Sequence, residues 1–165
     1  LGVEMVVVFL SSVVQVYGYA GIFIASLIGS ATIILPVPYL LLIFSSSSVL
    51  NPFLVGVIAG VGSSIGELTS YFVGVGGSKT ILKKYKKQFN KIEKVLENYK
   101  GDLGILLLSV APIPFDLVGI FCGTINYNIK RFFIITIIGK IVKHLIIAYA
   151  GFYGIHWIFS TFAWG

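Results

Sequence analysis

The chain has 165 residues, of which 57% are hydrophobic and 11% charged, and its net charge is +6. Soluble domains hold about 25% charged residues, so a soluble globular domain is excluded and residues 1–165 read as one integral membrane domain. A single cysteine, Cys122, excludes a disulfide framework and a cysteine metal cluster, and reads as a small buried hydrophobe.

Five apolar segments follow in chain order. The first, 3–28, reads as a spanning helix; it carries Glu4 and no basic n-region, so no cleaved signal is expected. The second, 31–50, contains "ILPVPYLLLIFSSSS", with Pro36 and Pro38 near its start and Ser45–Ser48 near its end, where small hydroxyls suit close packing. Proline breaks a spanning helix, and broken backbone is tolerated in a bilayer only where protein or water covers it. This segment therefore reads as a re-entrant hairpin. The third, 53–77, reads as a span with Glu67 about halfway along it.

Next comes "KTILKKYKKQFNKIEKVLENYK", residues 79–100, which holds eight of the 12 basic residues. Ile81, Tyr85, Phe89, Ile92, Leu96 and Tyr99 recur at steps of three and four, which predicts an amphipathic helix. It is either an interfacial helix on an anionic leaflet or a plain connector, and both readings place it in the cytoplasm. Nucleic acid is a poor match for this charge, because the chain has one arginine and its lysines adjoin membrane segments.

The fourth apolar segment, 103–125, carries Pro112, Pro114 and Asp116 and reads as a second re-entrant hairpin. An Asp at mid-bilayer costs about 2.5–3.5 kcal/mol on insertion scales, so its presence asks for a role. The fifth, 132–159, is a span with Lys140, Lys143 and His144 on one face; His156 beside Trp157 reads as an interfacial residue.

The halves resemble each other. "PVPYLLLIF" at 36–44 matches "PIPFDLVGIF" at 112–121 with one inserted residue, and Gly62, Glu67, Gly74 and Gly77 match Gly139, His144, Gly151 and Gly154 at equal spacing. With the lysine helix inside, the first hairpin enters from outside and the second from inside, where Lys130 and Arg131 follow it. The expected fold is thus an all-α integral membrane protein. It is an inverted repeat of re-entrant helical hairpin plus transmembrane helix, with a cytoplasmic amphipathic helix between the halves. The first half is 1–78, the connector 79–101 and the second half 102–165. The rival is five plain spans.

Glu67, Asp116, Lys140, Lys143 and His144 form the candidate intramembrane cluster. It is either a structural ion-pair network or a polar path for a charged headgroup or a proton, and the histidine suits proton coupling. Gly62, Gly66, Gly74, Gly139 and Gly151 are expected at close helix contacts. No phosphate loop, metal-ligand spacing or triad appears, so no enzyme, cofactor or metal is expected.

Three features resemble the DedA family of the SNARE-associated Golgi, or VTT-domain, superfamily. They are "VYGYAGIFIASLIGSATIILPVP", "GSSIGELTSYFVGVGG" with its Gly66–Glu67…Tyr71…Gly74 element, and the proline-bearing second hairpin. The resemblance implies paired re-entrant hairpins and lipid movement across the cell membrane of a prokaryote. The lipid would be a phospholipid or a polyprenyl-phosphate carrier, moved by scrambling or flipping. Tyr39 and Leu40 stand where typical members carry an acid, and Val110, Phe115 and Asp116 where they carry arginines, so phosphate would fall to Lys140 and Lys143. The implied partners are anionic or phosphate-bearing membrane lipids, with protons as a candidate co-substrate and a homodimer as a candidate assembly. The alternatives are a proton-coupled transporter of a small solute or ion and a non-transporting membrane-organising factor.

Overall fold

The computed structural model describes residues 12, 14, 16–32, 39–77, 83, 85–111 and 114–162, with side chains as far as 154. Among these residues every regular element is an α-helix: α1 Tyr19–Ala31, α2 Tyr39–Ser46, α3 Pro52–Gly66, α4 Leu68–Val75, α5 Lys86–Asn98, α6 Asp102–Val110, α7 Asp116–Thr124 and α8 Ile129–Phe162.

Two apolar rods organise the chain. α3 and α4 meet at Glu67 with helical backbone and form one 24-residue helix, and α8 contributes a mainly apolar stretch of 26 residues from Ile129 to Gly154. At 1.5 Å per residue these measure about 36 and 39 Å, enough to cross a hydrocarbon core of about 30 Å. Each rod starts in the same way. The Asn51 carbonyl oxygen of the side chain accepts from the Phe53 and Leu54 amides, and that of Asn128 accepts from the Lys130 and Arg131 amides. Both are N-caps, and Pro52 at the first helical position adds to the first. Asn51 and Asn128 are as far apart in sequence as Gly62 and Gly139.

The short helices pack as two folded-back pairs. α1 runs parallel to α3: the Asn51 amide donates to Tyr19 Oη at 3.1 Å, Ser30 Oγ to the Ser63 carbonyl at 2.8 Å, and Thr69 Oγ1 to the Ala31 carbonyl at 3.2 Å. The chain then reverses, so that Gly29 lies against Tyr39 and a Cβ there would stand 2.7 Å from its ring. α2 thus returns toward the Asn51 end. In the second half α6 runs parallel to α8, with Gly139 against Ser109, and α7 returns along α4, with Gly119 against Ser70. At this base the Tyr127 hydroxyl donates to the Asp102 carboxylate, and Tyr71 Oη donates to the Tyr127 carbonyl at 2.5 Å. Burial first, then the Asp102 bond and charge, push the Tyr127 phenol up to about 12, so it stays a donor at neutral pH.

The first folded-back pair departs from the expected limits. The sequence reading ends a spanning helix at 28 and begins the hairpin at 31, whereas α1 runs unbroken through that boundary to Ala31. The physical reason is local: nothing between Tyr19 and Ala31 breaks a helix, and the turn lies ahead of it, where Gly18 adopts φ +53°. Pro36, Pro38 and Pro112 lie outside the described residues. Pro114 lies in the interruption between α6 and α7.

The lysine helix is described as α5 from Lys86; residues 79–82 and 84 of the expected helix lie outside the described residues. It buries Phe89, Ile92 and Leu96 against α6 and α7, and exposes its lysines. Tyr99, expected on the apolar face, is 47% exposed, because the helix has ended and the chain reverses through Lys100 and Gly101 at φ +54° and +66°. Two apolar cores result. Tyr71, Phe89, Ile105, Val118 and Phe132 build one around α4–α7, and Ile22, Ile43, Val55, Ala59 and Ala148 build the other around α1–α3. Cys122 is buried in the former.

Candidate buried polar site between the two cores

Glu67 and Lys140 fall between the two cores along their rods. Lys140 Nζ lies 2.5 Å from Glu67 Oε1, with the side chains 3% and 4% exposed. The ammonium also sits 4.9 Å from the centre of the Phe115 ring, a cation–π contact. On the other side of Glu67, Ser70 Oγ donates to its carbonyl at 2.7 Å. Two ions removed from water hold only with such close pairing, because the desolvation of each must be offset by the other.

His144 stands one turn beyond Lys140 and is fully buried. Its Nδ1 lies 2.6 Å from the Lys140 carbonyl oxygen, which can only accept, so Nδ1 carries the proton and Nε2 is an acceptor. That Nε2 is buried with no hydrogen-bond partner among the described residues. Tyr39, the first residue of α2, stacks on the imidazole with centroids 5.9 Å apart. Glu67 and His144, which the sequence spacing pairs, therefore reach the same region from opposite rods.

The second hairpin closes the site. Asp116 begins α7, within electrostatic reach of Glu67 and Lys140, and its Oδ1 is buried without a hydrogen-bond partner among the described residues. Lys143 Nζ donates to the Ala111 carbonyl at 3.1 Å, where α6 has ended and that oxygen has no helical donor. Thr136, one turn before Lys140, also buries a hydroxyl without a partner.

All five expected polar residues thus gather around one region, but not in equal states. Among the described residues Lys140 is engaged by a carboxylate, whereas Lys143 donates to a carbonyl. Sequence reasoning did not place Tyr39, Phe115 or Thr136 in the site. Tyr39 had a signal, since it directly follows the first proline pair; Thr136 had one only in its helical spacing to Lys140. Among the described residues no group of three His, Cys, Asp or Glu could hold a metal.

The expected glycines stand where helices touch. A methyl on Gly62 or Gly66 would run into α1 at Ser26 or Ser30, and one on Gly139 into α6 at Ser109. On Gly74 it would meet the Ile120 carbonyl oxygen of α7, and on Gly151 the Phe44 carbonyl oxygen of α2. Gly56, Gly60 and Gly123 make contacts of the same kind.

The VTT domain matches residues 37–153, which include α2 through most of α8. Uncharacterized protein MJ0201 of Methanocaldococcus jannaschii is 28% identical over 148 residues, covering 87% of this chain and 90% of that protein. Vacuole membrane protein KMS2 of Arabidopsis thaliana is 32% identical over 103 residues, covering 52% of this chain and 25% of that protein. No solved structure matches the chain significantly. With the family's domain matched across most of its length, and two rods long and apolar enough to span a bilayer, this membrane protein belongs to the VTT-domain family, the DedA-like group that its motifs resemble.

Proposed function

We propose that the protein translocates lipids with phosphate-bearing headgroups across the cell membrane. The observation that carries this reading is a buried polar site, about two-thirds along one rod at Glu67 and near the middle of the other at Lys140, whose acceptors His144 Nε2 and Asp116 Oδ1 have no hydrogen-bond partner among the described residues. A purely structural network would be expected to satisfy its buried polar atoms.

The architecture proposed with it is a pair of re-entrant hairpins in an inverted repeat. Helix length supports re-entry: α2 has eight residues and α6 and α7 nine each, about 12–14 Å, too short to cross. Matched contacts support the repeat. Gly62 meets α1 as Gly139 meets α6, Gly74 meets the second hairpin's returning arm as Gly151 meets the first's, and Asn51 and Asn128 cap equivalent rods. The basic helix α5 lies on the cytoplasmic side of this arrangement.

The headgroup enters between the hairpin tips while its tails remain in the bilayer. Lys143 offers the first positive charge. Lys140 becomes available when Glu67 accepts a proton, which would tie headgroup binding to proton uptake. Phospholipid and polyprenyl-phosphate carriers share the chemistry this requires.

A second reading, gradient-driven uptake of a small solute, draws on the same unpartnered acid and imidazole. Reconstituted protein separates the two. Movement of a fluorescent phospholipid between leaflets without a pH gradient supports lipid translocation. Solute uptake under a gradient, with lipids static, supports the alternative. Neither activity, in a folded sample, leaves a membrane-organising role.

A further inference from the structure

Helix α5 is flanked by two depressions of opposite character. On one side Glu93 and Glu97 meet Phe121 and Tyr127. On the other, Ile92 and Val95 of α5 face Leu108 of α6 and Pro114 and Leu117 around the hairpin break, with Gln88 and Lys91 at the rim. This second groove encloses about 230 Å3. Small-molecule pockets run from about 300 Å3 upward, so it suits one stretch of chain and not a whole lipid.

Its walls are apolar and its rim is cationic. Lys91 is exposed, and Lys86, Lys87 and Lys94 of the same helix are exposed as well. The acidic residues of α5 line the opposite depression, so a negative headgroup is favoured on the Lys91 side alone. Pro114, two residues before Asp116, forms part of the wall. An occupant would thus touch the segment that carries the acid of the buried site.

We infer that this groove holds part of an acyl chain of an anionic phospholipid, whose headgroup pairs with Lys91. The inference rests on the membrane assignment and not on translocation: a lipid held here without being moved would occupy the same groove.

The test uses the full chain in nanodiscs of phosphatidylcholine containing phosphatidylglycerol. Each lipid is supplied in turn with a diazirine in its tail, and adducts are mapped by mass spectrometry. Phosphatidylglycerol adducts are expected on Val95, Leu108 or Leu117 above the level at the exposed α8 residues Ile138 and Ile146. Lys91→Gln, at an exposed position, is expected to lower groove adducts about fivefold and leave those at Ile146 unchanged. Leu108→Trp, which fills the groove, abolishes them. Equal labelling of groove and α8 face, equal labelling by both lipids, or indifference to Lys91→Gln would overturn the inference. Leaflet exchange measured on the same preparation reports separately on transport: a labelled groove in protein that moves no lipid supports this inference and counts against the transport reading.

Discussion

Lys140 reaches from about a third of the way along α8 to Glu67 at the α3–α4 junction, 2.5 Å away, and so ties the two rods together between their apolar cores. Both partners are nearly inaccessible to water. Removing one strands the other as a buried charge. Lys140→Met is therefore expected to destabilise by about 3–5 kcal/mol. The double variant Lys140→Met/Glu67→Gln recovers much of that loss, since no charge is left unpaired. Thermal unfolding of the purified variants in detergent, taken as a double-mutant cycle, checks this. Additive losses would mean that the pair is not coupled.

Asp116 behaves differently, because its Oδ1 has no hydrogen-bond partner. Asp116→Asn removes a partly buried charge whose desolvation and repulsion by Glu67 outweigh its attraction to Lys140. Its melting temperature is expected to stay unchanged or rise, while lipid movement slows. A marked drop in melting temperature would recast Asp116 as structural.

Close helix contacts give a third prediction, made in pairs. Gly74→Ala and Gly151→Ala each push a methyl into a carbonyl oxygen of a returning hairpin arm. Each is expected to cost about 1–3 kcal/mol by overpacking. Gly154→Ala, whose new methyl would lie 3.6 Å from the Phe44 ring, is expected to be neutral. A large loss at Gly74 with none at Gly151 would count against equivalent halves.

Much of this was legible in the sequence. Three- and four-residue spacing predicted the buried face of α5, since Phe89, Ile92 and Leu96 follow helical geometry alone. The matching glycines marked where rods meet hairpins, because only a residue without Cβ allows such approach. The C-terminal limit of α1 was not legible. Residues 19–31 are largely apolar, with Ser26 and Ser30 among them, and composition does not mark where such a helix ends. Tyr39 was also missed as a site residue, because an aromatic next to a proline has no periodic signature. The different states of Lys140 and Lys143 depend on which carboxylate the fold brings near, and spacing along α8 says nothing of that.

Topology supplies the fourth prediction. Ser47 is fully buried, so Val49, 87% exposed in the same loop, is the better labelling position. In a Cys122→Ala background, Val49→Cys is expected to react with an impermeant thiol reagent from outside, and Asn126→Cys only after the cytoplasmic face is opened. Reaction of both from outside would favour five plain spans.

Lipid translocation itself is tested most directly by chemical bleaching of a fluorescent phospholipid in proteoliposomes. Without protein, bleaching stops when the outer leaflet is consumed. Wild-type protein is predicted to carry bleaching well past that limit, and Asp116→Asn, whose fold is expected to hold, to return it toward the protein-free level. A folded wild-type protein that leaves the inner leaflet protected, with and without a pH gradient, would contradict the account.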